Sequence, residues 1–469
     1  MTFINFTKNI SAKIVLFFSL AIFAFISLLN YVGIVSFQGL LKFSNISVFL
    51  MLIIISLLLV IPSILLYKVK KNNLFIFYLF LFTFAIRLIW VLTIDSQPIS
   101  DFKVMYEGAL DIINGDVNSL LNSYYFNTWV YQLGFTMYLS IILKLVFNSL
   151  LGLKIVNTII MSFIPIIIYL ITKKLIAEKH ARIPAILYAI YVSSIINSSV
   201  LTNQNISTVL FYLGLYFLIS DIKFKWILVG LTMGIGNIIR PEGSVILIAI
   251  FLFTIFKDIT DIKKVKRNIF NFIGIVIIFF IVTECTSLLI LKSGFTTYPL
   301  TNRDPLWKFT CGINPETNGT YSENDLIFLG QFEDRNEGHK ILLTERLTNP
   351  VSLTKTVLLK NVPMWASNDT SISFAFTENV NKNNLYEALV KLEKIQYIFF
   401  ITMAFLSIIY LRKSKYLFSD YYLFLIIFIG YFLAHLMIEV QPRYRYFAIP
   451  SILIISSYSF SKLIKARNL

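Results

Sequence analysis

The chain has 469 residues, of which 57% are hydrophobic, 16% aromatic and only 14% charged, with a formal net charge of +16. A soluble chain carries nearly twice that share of charge. The composition therefore excludes an ordinary soluble domain, and repeated uncharged stretches of roughly 20 residues point to many membrane-spanning helices. The basic excess reads as an orientation signal, because short cytoplasmic loops collect Lys and Arg. No nucleic-acid partner is expected.

The chain opens with "MTFINFTKNISAK" and an apolar run from Ile14 to Val35. That run is too long for a cleaved leader and no small-residue cleavage site follows, so it reads as a retained signal anchor. Twelve spans are expected, at about 14–36, 46–67, 73–94, 154–172, 183–200, 204–220, 225–239, 241–257, 269–292, 396–411, 419–439 and 446–464. Basic clusters fall at 68–71, 173–182, 223–225, 257–267, 412–415 and 462–467. With both termini inside, all six are cytoplasmic, and 95–153, 240–243, 293–394 and 439–445 lie outside.

That topology requires the apolar segment 129–147 not to cross. Its polar residues Gln132, Thr136, Ser140 and Lys144 recur every fourth position and share one helix face. An amphipathic helix in the outer interface is expected there. The expected fold is an all-α polytopic membrane protein in four parts. Residues 1–72 form an additional pair of helices, and 73–292 form the core with its outer loop 95–153. Residues 293–394 form an outer, mostly helical subdomain, and 395–469 the last helices. The subdomain holds 12 of the 25 acidic residues against 10 Lys and Arg, a balance opposite to that of the whole chain. Within it, 336–347, 350–362 and 384–395 read as helices and 314–325 as turns. Cys285 and Cys311 give no disulfide framework.

Candidate chemistry collects on the expected outer side. "SQPISDFKVMYEGA" (96–109) follows the third span. From Asp101, the residues Phe102, Met105, Tyr106, Ala109, Ile112 and Ile113 keep helical spacing, with Lys103, Glu107 and Asp111 on another side. Asp101 or Ser100 has a plain use as a helix cap. "GNIIRPEG" (236–243) carries Arg240 and Glu242, and "EVQPRYRYFAIP" (439–450) carries Glu439, Arg443, Tyr444 and Arg445. Helix starts and interfacial snorkelling explain these residues blandly. Yet arginines on the translocated side oppose the orientation bias, and their forks match phosphate oxygens. Three such arginines near one acid form an anionic-lipid site. Arg87 lies inside the third span, where an unpaired charge costs at least ~2 kcal/mol, so it should face protein or a polar cavity.

These segments resemble GT-C-type glycosyltransferases, the membrane enzymes that use polyprenyl-phosphate sugars. "QPISDFKVMYEGALDIINGD" (97–116) is similar to the first outer loop of protein O-mannosyltransferases and of the lipid A aminoarabinose transferase. The likeness runs on through 154–175, 185–218, 234–248, 305–325 and 441–450, from about residue 73 onward. It implies a GT-C helical bundle with Asp101 as general base. It also implies a polyprenyl-phosphate-linked sugar donor and a cell-envelope acceptor, whether glycan, teichoic acid, lipid or protein. The cell membrane of a bacterium is the expected location. Arg240, Arg443 and Arg445 would hold the leaving phosphate. Glu107, Glu242, Trp307, Asn314, Tyr321, Glu439 and Tyr444 are further candidates for substrate contact. Many relatives carry a second acid where this chain has Asn203, Gln204 and Asn205. The resemblance thus departs at that point, and no metal or other cofactor is expected. A polysaccharide polymerase is the next reading. A lipid-linked glycan flippase is less suited, because it predicts inverted repeats and polar groups at the membrane midplane, and the chain shows neither pattern.

Overall fold

In the computed structural model, which describes residues 3–32, 42–259, 261–376, 384–413 and 419–467, every regular element is a helix. Seven helices are long and apolar enough to cross a membrane: Ile10–Val32, Ile46–Tyr67, Asn72–Thr93, Leu150–Leu175, Ile262–Lys292, Asn384–Lys413 and Pro442–Ile464. Lys225–Ile239, Gly243–Lys257 and Tyr421–Met437 are shorter apolar helices at three further expected spans, and Asn203–Ile219 occupies another. Phe270, Ile277, Phe280 and Leu289 stay exposed along Ile262–Lys292, an apolar face suited to lipid rather than water. The protein is a polytopic helical membrane protein.

Small residues let these helices approach. A Cβ on Gly230 would meet the Ile278 side chain at 2.6 Å and the Ile275 carbonyl oxygen at 2.9 Å. Glycine there seats Lys225–Ile239 against Ile262–Lys292, as close packing in a membrane requires.

The expected span at 183–200 is broken. Glu178–Ala189 ends, and a short helix restarts at Val192–Ile196. Backbone groups freed by a break in an apolar interior need internal partners. Gln396 serves both sides: its Nε2 donates to Ile190 O at 2.8 Å and its Oε1 accepts from Val192 N at 2.9 Å. Arg87 closes the same break. Fully buried, it donates to Ala189 O at 3.1 Å, Ser194 Oγ at 2.7 Å and Thr83 O at 3.2 Å. The charge inside the third span is thus a cap on a helix C-terminus, where a cation suits the dipole.

The loops with basic clusters meet at one end of the bundle. Arg182 donates to the Val69 carbonyl, Lys174 pairs with Asp221 at 2.9 Å, and Lys257 pairs with Asp420 at 2.5 Å. At the other end lie Asp101–Asn114, the loop from 293 to 376 and the segment 438–448. Tyr131 N donates to Thr301 O at 3.2 Å, and Glu439 N to Lys308 O at 2.7 Å.

Helix Leu133–Leu145 lies at that second end. Its 13 residues span roughly 20 Å, short of the ~30 Å hydrocarbon layer. Gln132 at its start accepts from Asn203 Nδ2 at 3.2 Å, and Lys154, just past its end, donates to Ser96 O at 2.5 Å. The polar stripe differs from expectation. Thr136 and Ser140 are buried against protein, while Ile141 and Leu145 are exposed. Their hydroxyls donate to Gln132 O at 3.0 Å and Met137 O at 2.8 Å. The helix is a wedge between the surface helix and the bundle, burying Leu133, Phe135, Leu139 and Leu143 together with the two hydroxyls while Lys144 stays exposed.

In the loop, helices Arg335–Thr348 and Pro350–Leu359 form close to the expected positions. Two more, Trp307–Gly312 and Glu323–Leu329, occur where loop and turns were expected. Ser322 Oγ caps the second by accepting from Asp325 N at 3.1 Å. Asn384–Lys413 is one continuous helix. Residues 377–383, inside the expected subdomain, lie outside the described residues.

Candidate functional site

A cavity of about 210 Å³ opens among these pieces. Asp101, Phe102 and Met105 line it from the surface helix, Arg240 and Glu242 from the turn after Lys225–Ile239, and Trp307, Lys308 and Tyr321 from the loop. Glu439, Gln441, Arg443 and Tyr444 complete it from the segment before the last helix.

Asp101 enters through local strain. Ser100 has φ 51° and ψ −138°, a region that costs a non-glycine residue about 1–3 kcal/mol. Neither Ser100 nor Asp101 supplies the cap hydrogen bond that the plain reading expects. Phe102, Met105 and Ala109 are buried as the spacing requires, which turns Asp101 to the cavity. Its Oδ2 lies 3.9 Å from Arg443 Nη2, with the carboxyl side chain 46% exposed.

Arg443 is oriented by a relay. Its Nε donates to Gln441 Oε1 at 2.7 Å, and Gln441 Nε2 donates to Glu439 Oε1 at 2.6 Å. Its guanidinium lies 4.9 Å from the Phe102 ring centroid and 5.4 Å from that of Phe374. Arg240 is held differently. Its Nε donates to Glu242 Oε1 at 2.5 Å and its Nη1 to Asn203 Oδ1 at 3.0 Å, and Tyr444 lies 5.3 Å below. Burial alone would lower the Arg240 guanidinium, but Glu242 outweighs it and holds the group above its ordinary range. The other oxygen, Glu242 Oε2, is buried with no hydrogen-bond partner among the described residues. Asn203 thus bridges Gln132 and Arg240.

Backbone packing fixes the wall that bears Glu439. Gly312 lies so close that a Cβ there would meet Met437 O, approach Ile438 C to 2.5 Å and Glu439 N to 2.8 Å. Buried Lys360 donates to Gly312 O at 2.7 Å, Ile438 O at 2.7 Å and Leu436 O at 3.2 Å. Burial lowers its ammonium to about 8, with Glu439 opposing.

Of the candidates named from sequence, Asp101, Arg240, Glu242, Trp307, Tyr321, Glu439, Arg443 and Tyr444 line the cavity. Three do not. Arg445, expected with Arg240 and Arg443 at the leaving phosphate, has a fully buried side chain and pairs with Glu393 at 3.0 Å and Asp369 at 3.8 Å. Consecutive turns of the 3₁₀ segment Pro442–Ala448 send the two arginines apart. Asn314 is buried in its own turn, accepting from Glu316 N at 2.8 Å and donating to Asp325 at 3.0 Å. Glu107 is exposed and faces Lys103 at 3.8 Å. Sequence reading missed Lys308, Tyr131, Tyr431 and His435. Lys308 had one signal, a cation beside Trp307 in an otherwise acidic segment.

Fold and site together define a polytopic helical membrane protein with a charged, aromatic-lined cavity at one end of its bundle. Within that class, residues 133–285 match the dolichyl-phosphate-mannose-protein mannosyltransferase family, which supports a GT-C-type glycosyltransferase dependent on a polyprenyl-phosphate sugar. The match covers Asn203, Arg240 and Glu242 but neither Asp101 nor the 439–445 segment. A search of curated proteins finds no match.

Proposed function

We propose that the protein transfers a sugar from a polyprenyl-phosphate donor to a cell-envelope acceptor on the outer face of the membrane. The observation that carries this reading is Asp101, a helix-start acid that caps nothing and faces a cavity 3.9 Å from an arginine. Asp101 takes the proton of the acceptor hydroxyl as that oxygen bonds to the anomeric carbon. The bond from that carbon to the phosphate oxygen breaks, its electrons stay with the phosphate, and the sugar configuration inverts.

Arg443 and Arg240 face the phosphate and stabilise its growing charge in place of a metal. Trp307, Tyr321 and Tyr444 offer ring faces, and the unpartnered Glu242 Oε2 accepts a sugar hydroxyl. The outer location is supported by the separation of the basic clusters, which gather at the end opposite the cavity. The acceptor class, whether wall glycan, teichoic acid, lipid or protein, is a matter for assay. The test is incubation of purified protein with a panel of polyprenyl-phosphate sugars. Sugar transfer or release is expected with at least one donor. No turnover on any, combined with movement of intact lipid-linked glycan across vesicles, would replace this reading with the flippase.

A further inference from the structure

Three cations line the cavity, and two of them are engaged. Arg240 is bound by Glu242 and Asn203. Arg443 donates to Gln441 and lies near Asp101. Lys308 differs. Among the described residues its ammonium has no hydrogen bond, ion pair or ring contact, although its own carbonyl is fixed by Glu439 N at 2.7 Å. Arg240 and Glu242 face it from one turn, and Glu439 and Arg443 from the segment before the last helix. Asp101, His435, Tyr125, Tyr131, Tyr321, Tyr431 and Tyr444 are the other titratable groups that line the cavity.

We propose that Lys308 is a further donor-binding residue, left unpaired so that the phosphate of the polyprenyl-phosphate sugar becomes its partner. This inference rests on the donor reading above. Glu242 and Glu439 face Lys308 across the cavity without forming an ion pair with it among the described residues, so an anionic ligand supplies a contact that the resting site leaves unmade. The chemistry also calls for it. The donor is a phosphodiester with a single negative charge. Once the bond to sugar breaks, the product is a monoester whose second proton leaves near pH 6. A third cation thus complements the charge that appears during the reaction and holds the polyprenyl monophosphate more firmly than the donor. Burial, and then Arg240, push the Lys308 ammonium below its ordinary range, with Glu439 opposing.

The experiment uses the full-length protein in nanodiscs, with a polyprenyl monophosphate and the neutral polyprenol of equal length as probes. Lys308→Met is expected to weaken monophosphate binding tenfold or more and leave polyprenol binding unchanged. Lys308→Arg is expected to restore affinity and to flatten the decline that wild type shows as pH rises into the alkaline range, since arginine keeps its proton. Three results overturn the inference: Lys308→Met binding the monophosphate like wild type, equal loss of polyprenol, or an unchanged pH profile in Lys308→Arg. The two readings fail separately. Wild type that does not prefer monophosphate to polyprenol removes the donor reading, whereas selectivity lost in Arg443→Ala but kept in Lys308→Met removes only the role of Lys308.

Discussion

Asp101 and Arg443 face each other across the cavity at 3.9 Å, one from the first turn of a surface helix and the other from the segment before the last span. Phe102, the next residue after Asp101, lies under the Arg443 guanidinium, so the helix that presents the acid also supports the arginine facing it.

Replacing Asp101 with Asn preserves size and removes the base. Since Asp101 makes no cap hydrogen bond, folding should be unaffected. Transfer should fall on the order of 100-fold or more. Membrane yield and thermal stability equal to wild type, with sugar transfer assayed in parallel, check this. Full activity in Asp101→Asn would assign the base elsewhere.

The two C-terminal arginines should separate kinetically. Arg443→Lys keeps charge but loses the two-pronged fork, so the Michaelis constant for the donor should rise, and Arg443→Ala should lower turnover as well. Arg445→Ala leaves Glu393 and Asp369 buried without their cation, a loss of about 3–5 kcal/mol. Its remaining folded fraction should show the wild-type Michaelis constant. A stable Arg445→Ala protein with weakened donor use would contradict the assignment.

Gly312→Ala probes the wall that carries Glu439. The added methyl meets backbone on three sides, so strain of about 1–3 kcal/mol is expected. The 438–441 segment should shift, and donor turnover should fall further than the folded fraction does. An alanine variant with unchanged stability and kinetics would show that this wall yields freely.

Lys360 gives a pH signature with a definite sign. Folding holds it at about 8 instead of 10.5. Between those values the unfolded chain binds more protons, so stability rises with pH across the window, by roughly 3 kcal/mol in total, and is lost as pH falls through about 8. Melting curves of wild type against Lys360→Met at pH 7, 8, 9 and 10 should show wild type gaining on the variant. Parallel curves would remove Lys360 as the source.

Sidedness is tested with single cysteines in a background lacking Cys285 and Cys311. Ala177→Cys, in a turn at the basic end, should resist membrane-impermeant thiol reagents in intact cells, and Asn324→Cys, exposed on the loop, should label. Ser322 is unsuitable, because it is buried as a helix cap. Labelling at 177 would reverse the proposed orientation.

Much of the fold was legible because a bilayer imposes a length and an apolar composition on each span. The surface helix was equally plain, since Phe102, Met105 and Ala109 report its buried side directly. The helix Leu133–Leu145 departs from its expected polar stripe at Thr136 and Ser140 alone, which are buried with Leu139 and Leu143 while Lys144 is exposed. Thr136 and Ser140 satisfy their hydroxyls on carbonyls one turn back, so they need no water and spacing could not show that protein covers them. The break at Tyr191 was invisible because its remedy, Gln396, lies far along the chain. Pro442 already signals a turned backbone that separates Arg443 from Arg445, but the acids that hold Arg445, Glu393 and Asp369, lie far along the chain and no spacing reveals them. Lys308 was obscured because a single lysine in a loop has no pattern to reveal a cavity.

The tie between the first and last thirds of the chain governs how the protein is made. Asn30 donates to Trp365 O at 2.8 Å and accepts from Lys394 at 2.7 Å. Asn30 Nδ2 also donates to Ile26 O of its own helix at 2.8 Å, but its partners outside that helix lie 335 and 364 positions later in the chain. This contact therefore closes late, and chains cut short before residue 365 would be left with Asn30 partnered only by the carbonyl of its own helix, a form suited to recognition by membrane quality control.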